Sequence, residues 1–171
     1  MSDSYTGHAR ERSNGPGAAL AAASVVVVIA LVVAGLVYYS GSSARIAGDY
    51  TAVAAPADQA LGPEVNGYTR DQRDDLAAAR SDLKKEAKTE ASFDDQLAEV
   101  TFPGVADTEA DALIRADKKR IKLVGLQAQA ASLRQLRSFA SAEQATTAAV
   151  ETQVGRIRLA LGLPPASAGQ Y

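Results

Sequence analysis

The sequence predicts an all-α protein, with one N-terminal transmembrane helix followed by an up-down three- to four-helix bundle. Three observations carry that expectation. A run with no charged side chain extends from Ala18 to Tyr39. Beyond it, apolar residues recur at three- and four-residue steps, the period of a helix face, and no stretch alternates as a strand would. Between the periodic segments lie helix-breaking signals, Gly62-Pro63, Phe102-Pro103-Gly104 and Gly162-Leu163-Pro164-Pro165.

Taken in order, residues 1–17 are rich in Ser, Gly, Asn and Arg and read as a disordered tail. Residues 18–39 read AALAAASVVVVIALVVAGLVYY, with Ser24 the one clearly polar side chain before the tyrosines. About 22 residues at 1.5 Å per residue span roughly 33 Å, which matches a hydrocarbon core near 30 Å. Tyr38 and Tyr39 fall where amphipathic rings anchor a span at the membrane interface. A cleaved signal peptide is the rival. Its apolar region would run about 7–15 residues, shorter than this one, although Ser42-Ser43-Ala44 and Ala52-Val53-Ala54 offer small residues to a peptidase. Arg10 and Arg12 on one flank against Arg45 on the other place the N-terminus in the cytoplasm and the remainder outside, a single-pass plasma-membrane topology.

Residues 40–43 read as a hinge, 44–165 as an extracytoplasmic helical bundle and 166–171 as a flexible C-terminus. The first bundle helix is expected over about Ala44 to Leu61, with Ile46, Tyr50, Val53, Ala57 and Leu61 on one stripe, a kink at Pro56 and an end at Gly62-Pro63. Thr69 with Gln72 forms a capping-box pattern opening the second. There Leu76, Leu83, Ala87 and Ala91 share a face, and Phe93, Leu97 and Val100 continue it with a rotation near Ser92. The third is expected from Asp107 or Thr108 to about Leu136, on Ala110, Leu113, Ile114, Ile121, Val124, Ala128 and Ala131, with Leu123, Leu126 and Leu133 widening the apolar surface. Ser141 with Gln144 marks the fourth, whose stripe is Val150, Val154, Ile157 and Leu161. Gly162 suits a left-handed cap, and Pro164-Pro165 forbid continuation.

Composition excludes several classes of function. Lys and Arg number 18 against 20 Asp and Glu, so no basic field exists for a duplex, and nucleic acid is not an expected partner. Cysteine is absent, which removes disulfides, thiolate ligands, a thiol nucleophile and the lipidated cysteine of a lipoprotein. The single histidine is His8 and the single methionine Met1, so the bundle offers neither imidazole nor thioether to zinc, copper or haem. No catalytic residue, cofactor site or metal site is expected. A Ser–Lys dyad is formally available but has no local signature.

Asp117 is the most informative single residue. It stands on the stripe between Leu113 and Ile121, where a carboxylate requires a partner. The expected answer is an ion pair with an Arg or Lys of another helix or a place at the bundle edge, with binding or switching as the alternative. Arg115, Lys118, Lys119, Arg120 and Lys122 read as a solvated face. Asp74-Asp75 and Asp94-Asp95 read as capping and solubilising pairs, since neighbours on a helix point about 100° apart.

The stretches Arg158-Leu-Ala-Leu-Gly-Leu-Pro-Pro165, Phe93-Asp-Asp-Gln-Leu97 with Phe102-Pro103-Gly104, and Ala112-Leu-Ile-Arg-Ala-Asp117 carry a resemblance. With an Ala-rich helical region behind an N-terminal anchor, the chain resembles a group of uncharacterised actinobacterial membrane-anchored envelope proteins over about residues 44–165. The resemblance implies a cell-envelope location and carries no functional residue across. The functional expectation is a non-enzymatic structural or accessory subunit. Its partners would be the lipid bilayer and other membrane or envelope proteins, in a respiratory, secretion or division assembly. The alternative is an extracytoplasmic ligand-binding or sensor domain acting through a partner. A single coiled-coil spacer is disfavoured by the breaks at Pro56, Gly62-Pro63 and Pro103-Gly104.

Overall fold

The computed structural model describes residues 41–166, with side chains from Ala44 onward. The expected tail, the run Ala18–Tyr39 with its interface tyrosines Tyr38 and Tyr39, and residues 167–171 lie outside them. Among the described residues there are helices and no strand: α1 (Gly41–Asp71), α2 (Leu76–Ala98), α3 (Val105–Gln127), the short α4 (Leu133–Arg137) and α5 (Ala140–Ala160). None of these helices is long and apolar enough to cross a membrane.

Each long helix buries one seam. In α2 it is Ala79, Leu83, Glu86, Glu90, Phe93 and Leu97, and in α3 Ala106, Ala110, Leu113, Asp117, Arg120, Val124 and Gln127. These steps of three and four keep a seam facing its neighbour along a left-handed bundle. α2 packs on α1, α3 on α2 and α5 on α3, with short connections turning the chain each time. The start of α1, the α2–α3 turn and the end of α5 therefore share one end, here the base. The α1–α2 turn and α4 lie at the top. Apolar side chains form two cores. The larger, at the base, joins Tyr50 and Leu61 of α1, Phe93 and Leu97 of α2, Leu113 of α3, and Val150, Val154 and Ile157 of α5. The smaller, at the top, joins Tyr68, Ala79, Leu83, Val124, Ala130 and Leu136.

Several boundaries differ from expectation, each for a physical reason. α1 runs unbroken through Pro56 and Pro63 to Asp71 instead of ending at Leu61. Both prolines and the residues four positions before them, Ala52 and Gln59, are exposed. The carbonyls that lose an amide partner thus face water, and packing on α2 carries the helix past them. Gly41, Ser42 and Ser43 already belong to α1, so no hinge separates them from the bundle. Thr69 lies inside α1, and α2 is capped by Asp75, whose carboxylate accepts from the Ala78 amide at 2.9 Å. α2 has no irregularity near Ser92.

α3 stops at Gln127 rather than Leu136. By then it has run the length of α2, and further turns would carry Leu133 and Leu136 into solvent. The chain instead breaks and re-enters as α4 over the top core, capped by Ser132 and held by Arg137 donating to the Arg73 carbonyl at 2.8 Å. The expected start of the last helix at Ser141 is a residue late, and Ser141 makes no cap.

Two turns agree with the sequence. Gly104 (φ 52°) opens α3, and Gly162 (φ 67°) closes α5, both in the region where a Cβ is disfavoured. At the latter the Leu163 amide reaches the Arg158 carbonyl at 2.8 Å and the Gly162 amide the Leu159 carbonyl at 3.0 Å, a Schellman closure. Leu113 is fully enclosed in the base core. Leu113→Ala is expected to cost about 2–5 kcal/mol, read as a lowered midpoint in denaturant unfolding at unchanged slope.

Candidate functional site

Between the two apolar cores lies a polar layer. Glu86, Glu90 and Asp94 stand one turn apart on α2, and Asp117 and Arg120 face them from α3. All five are buried: Glu86 is 2% exposed, Glu90 1%, Asp94 3%, Asp117 1% and Arg120 3%. Because α2 and α3 run in opposite directions, the rungs pair in reverse order. The Arg120 guanidinium enters between Glu86 and Glu90, Nη2 donating to Glu86 and Nη1 forming an ion pair with Glu90. One turn toward the base, Asp94 meets Asp117.

The layer reaches all four long helices. Gln127 of α3 donates to Glu143 of α5 at 2.8 Å, and the Tyr68 hydroxyl of α1 donates to the same carboxylate at a longer 3.4 Å. Burial together with Glu143 and Glu86 pushes the Tyr68 phenol well up, so it remains a donor. At the base, Tyr50 lies beside Arg158 and is pushed up to about 12 by burial. Arg158 also donates to the Pro164 carbonyl at 2.8 Å, which ties the C-terminal turn to the bundle.

Four buried carboxyls thus share the layer with one buried guanidinium, which contacts two of them, so full ionisation would leave an excess of negative charge in a low-dielectric interior. Glu86 is raised above the usual carboxylate range by burial, with Arg120 opposing the shift. Asp94 is pushed up from 3.8 to about 7 by burial, with Lys118 opposing. Asp117 is pushed up from 3.8 to about 8, first by burial and then by the Asp94 charge beside it. Between two carboxylates there is no donor. A proton held by the pair supplies one, and the two groups titrate together.

The structure therefore buries Asp117, as its place on the stripe demands, and sets it against another acid rather than the expected cation. Arg120, read as part of a solvated basic face, is the buried partner of α2. Its neighbours Lys118 and Lys119 are exposed, as expected. Asp94 is not a solubilising residue; only Asp95 of that pair faces water. Glu86 and Glu90 were legible from spacing alone. Once admitted to the stripe of Ala79, Leu83, Phe93 and Leu97, they make it continuous and remove the apparent rotation near Ser92.

No three of the acidic or imidazole side chains among the described residues converge closely enough to hold a metal ion. A groove of about 450 Å³ between α1 and α2 is lined in part by Pro56, Ala60, Glu64, Lys85, Lys88 and Phe93. Of the leucines expected to widen the apolar surface of α3, Leu133 packs against the top core from α4, Leu123 is half-buried and Leu126 alone is exposed. No family model, curated protein or solved structure matches the chain.

Two outcomes test the layer. Arg120→Met leaves Glu86 and Glu90 buried without their cation and is expected to cost about 3–5 kcal/mol in denaturant unfolding, whereas the triple change Glu86→Leu, Glu90→Leu, Arg120→Met is expected to be neutral or stabilising by about 1–4 kcal/mol. The second outcome concerns pH. With Asp94 and Asp117 raised from 3.8 to about 7 and about 8, the native protein holds more protons than the unfolded chain across that interval. Their stabilisation is fully present below 3.8 and is lost as pH rises through about 7 and about 8. The slope approaches about 1.4 kcal/mol per pH unit for each proton held. Asp117→Asn supplies an amide donor to Asp94 without a proton, and unfolding followed against pH is expected to show a flattened slope.

Proposed function

We propose that the chain is a non-enzymatic, single-pass membrane protein whose extracytoplasmic bundle docks as an accessory subunit on a larger assembly of an actinobacterial-type cell envelope. One observation carries the reading. α1 is already helical at Gly41, two residues after the apolar run ends at Tyr39. A domain joined so closely to a membrane span is held at a fixed height above the bilayer. That suits a part positioned within a complex better than one reaching on a tether.

The chemistry of the sequence points the same way. The chain has no cysteine, and its one histidine precedes the apolar run, so the bundle offers neither thiol nor imidazole as nucleophile, base or metal ligand. The polar layer is enclosed by the helices it joins, which suits a group holding the bundle together rather than one receiving a substrate. Leu126, exposed near the top of α3, offers an apolar contact to a partner. A respiratory, secretion or division assembly would each fit a subunit anchored in this way.

Crosslinking in intact cells followed by mass spectrometry is expected to recover a recurrent membrane or envelope partner joined through bundle residues. A periplasmically active reporter fused after Tyr171 is expected to be active. Recovery of a free monomer alone under gentle detergent would sink the accessory-subunit reading.

A further inference from the structure

Three large apolar side chains stand in solvent among the described residues, and two of them lie at the base: Val105 at 69% and Leu159 at 79% exposure. Val105 opens α3 just after the α2–α3 turn, and Leu159 lies in the last turn of α5. Between them and α1 is a shallow depression of about 210 Å³ lined by Ile46, Pro103, Ala106, Leu159, Leu161 and Gly162, with no charged residue in its lining. Loops at a bundle end are ordinarily polar. At this end Val105, Leu159 and the depression make an apolar patch among exposed charged residues, and the opposite end carries exposed Asp74, Arg134 and Arg137.

The chain itself indicates what covers the base. Ile46 lies about 8 Å along α1 from Gly41 at 1.5 Å per residue. The apolar run ends at Tyr39, just before that helix begins. With a headgroup layer of roughly 5–7 Å per leaflet, a bundle standing on this run brings its base to the outer edge of the headgroups, and a modest tilt carries it in. We infer that the base of the bundle is a lipid-contacting surface, with Val105, Leu159 and the rim of the depression seated in the headgroup region of the outer leaflet. The inference rests on the reading of residues 18–39 as a membrane span.

Two arguments favour lipid over other occupants. A stable protein–protein interface buries at least about 1,000 Å², far more than two side chains and a shallow depression supply. The exposed charges near this end are of both signs, Arg45 and Arg156 against Asp49, Glu99 and Asp107, so no cationic field draws it to anionic headgroups and the attraction is apolar rather than electrostatic. It therefore does not require anionic lipid.

Because the chain has no cysteine, single probes can be placed cleanly. The full chain, carrying Val105→Cys, Leu159→Cys or, at the top, Ala131→Cys, is labelled with a fluorophore. It is then reconstituted in phosphatidylcholine vesicles containing a headgroup-nitroxide lipid, with alkaline-carbonate extraction run in parallel. Several-fold stronger quenching at positions 105 and 159 than at 131, in protein that resists extraction, is expected. Equal quenching at all three positions in protein that resists extraction overturns the lipid contact while leaving the span intact. Release by carbonate overturns the span and the inference together. Disulfide-linked dimers of Leu159→Cys before labelling assign the base to a second copy and overturn the lipid surface.

Discussion

Removing Arg120 from water costs several kcal/mol, and so does removing each carboxylate it meets. The guanidinium stays inside because its planar fork reaches Glu86 with one nitrogen and Glu90 with the other, one helical turn apart on α2. That arrangement needs α2 and α3 to be antiparallel, in register, and close enough for Arg120 to cross between them. A slide of one residue would turn both glutamates from the seam and strand the cation. The ion pairs are thus weak as a source of net stability and strong as a constraint on register.

The rest of the layer follows from the same placement. A carboxyl triplet spaced i, i+4, i+8 on α2 must be answered along its length, and Arg120 answers the first two. The third rung, Asp94, finds Asp117, so only a shared proton can satisfy both. Toward the top, Gln127, Glu143 and Tyr68 extend polar bonding to α5 and α1. Apolar packing above and below the layer excludes water, which makes each of these bonds dear to break. The bundle is consequently two apolar cores joined by a band that fixes the order and direction of its helices.

The two ends of the molecule differ in the same physical terms. The top is closed by α4, which folds Leu136 inward and fastens itself through Arg137. Among the described residues the base has no equivalent cover; Val105 and Leu159 stand open there, at the end where α1 begins. A membrane-held accessory subunit would use that difference, with one end turned to lipid and the other free to meet a partner.

The helical class, the direction changes at Phe102-Pro103-Gly104 and Gly162, and the α5 seam of Val150, Val154, Ile157 and Leu161 were legible in the sequence. Each depends on local rules: the period of a helix face, the left-handed tolerance of glycine, the missing amide of proline. Those same local rules failed at Gly62-Pro63, where α2 supplies packing that no local signal records, and at Gln127, where the length of a neighbouring helix ends α3. They also left Asp94 and Arg120 on the outside and gave Glu86 and Glu90 no place on the seam, since charged residues are assigned to water by default. The sequence by itself determined that Asp117 shares a helix face with Leu113 and Ile121, because the helical period leaves it no other direction. Only the tertiary structure decided what it would meet: the partners of a buried charge are set by the register of another helix, a distance relation that no single strip of sequence contains.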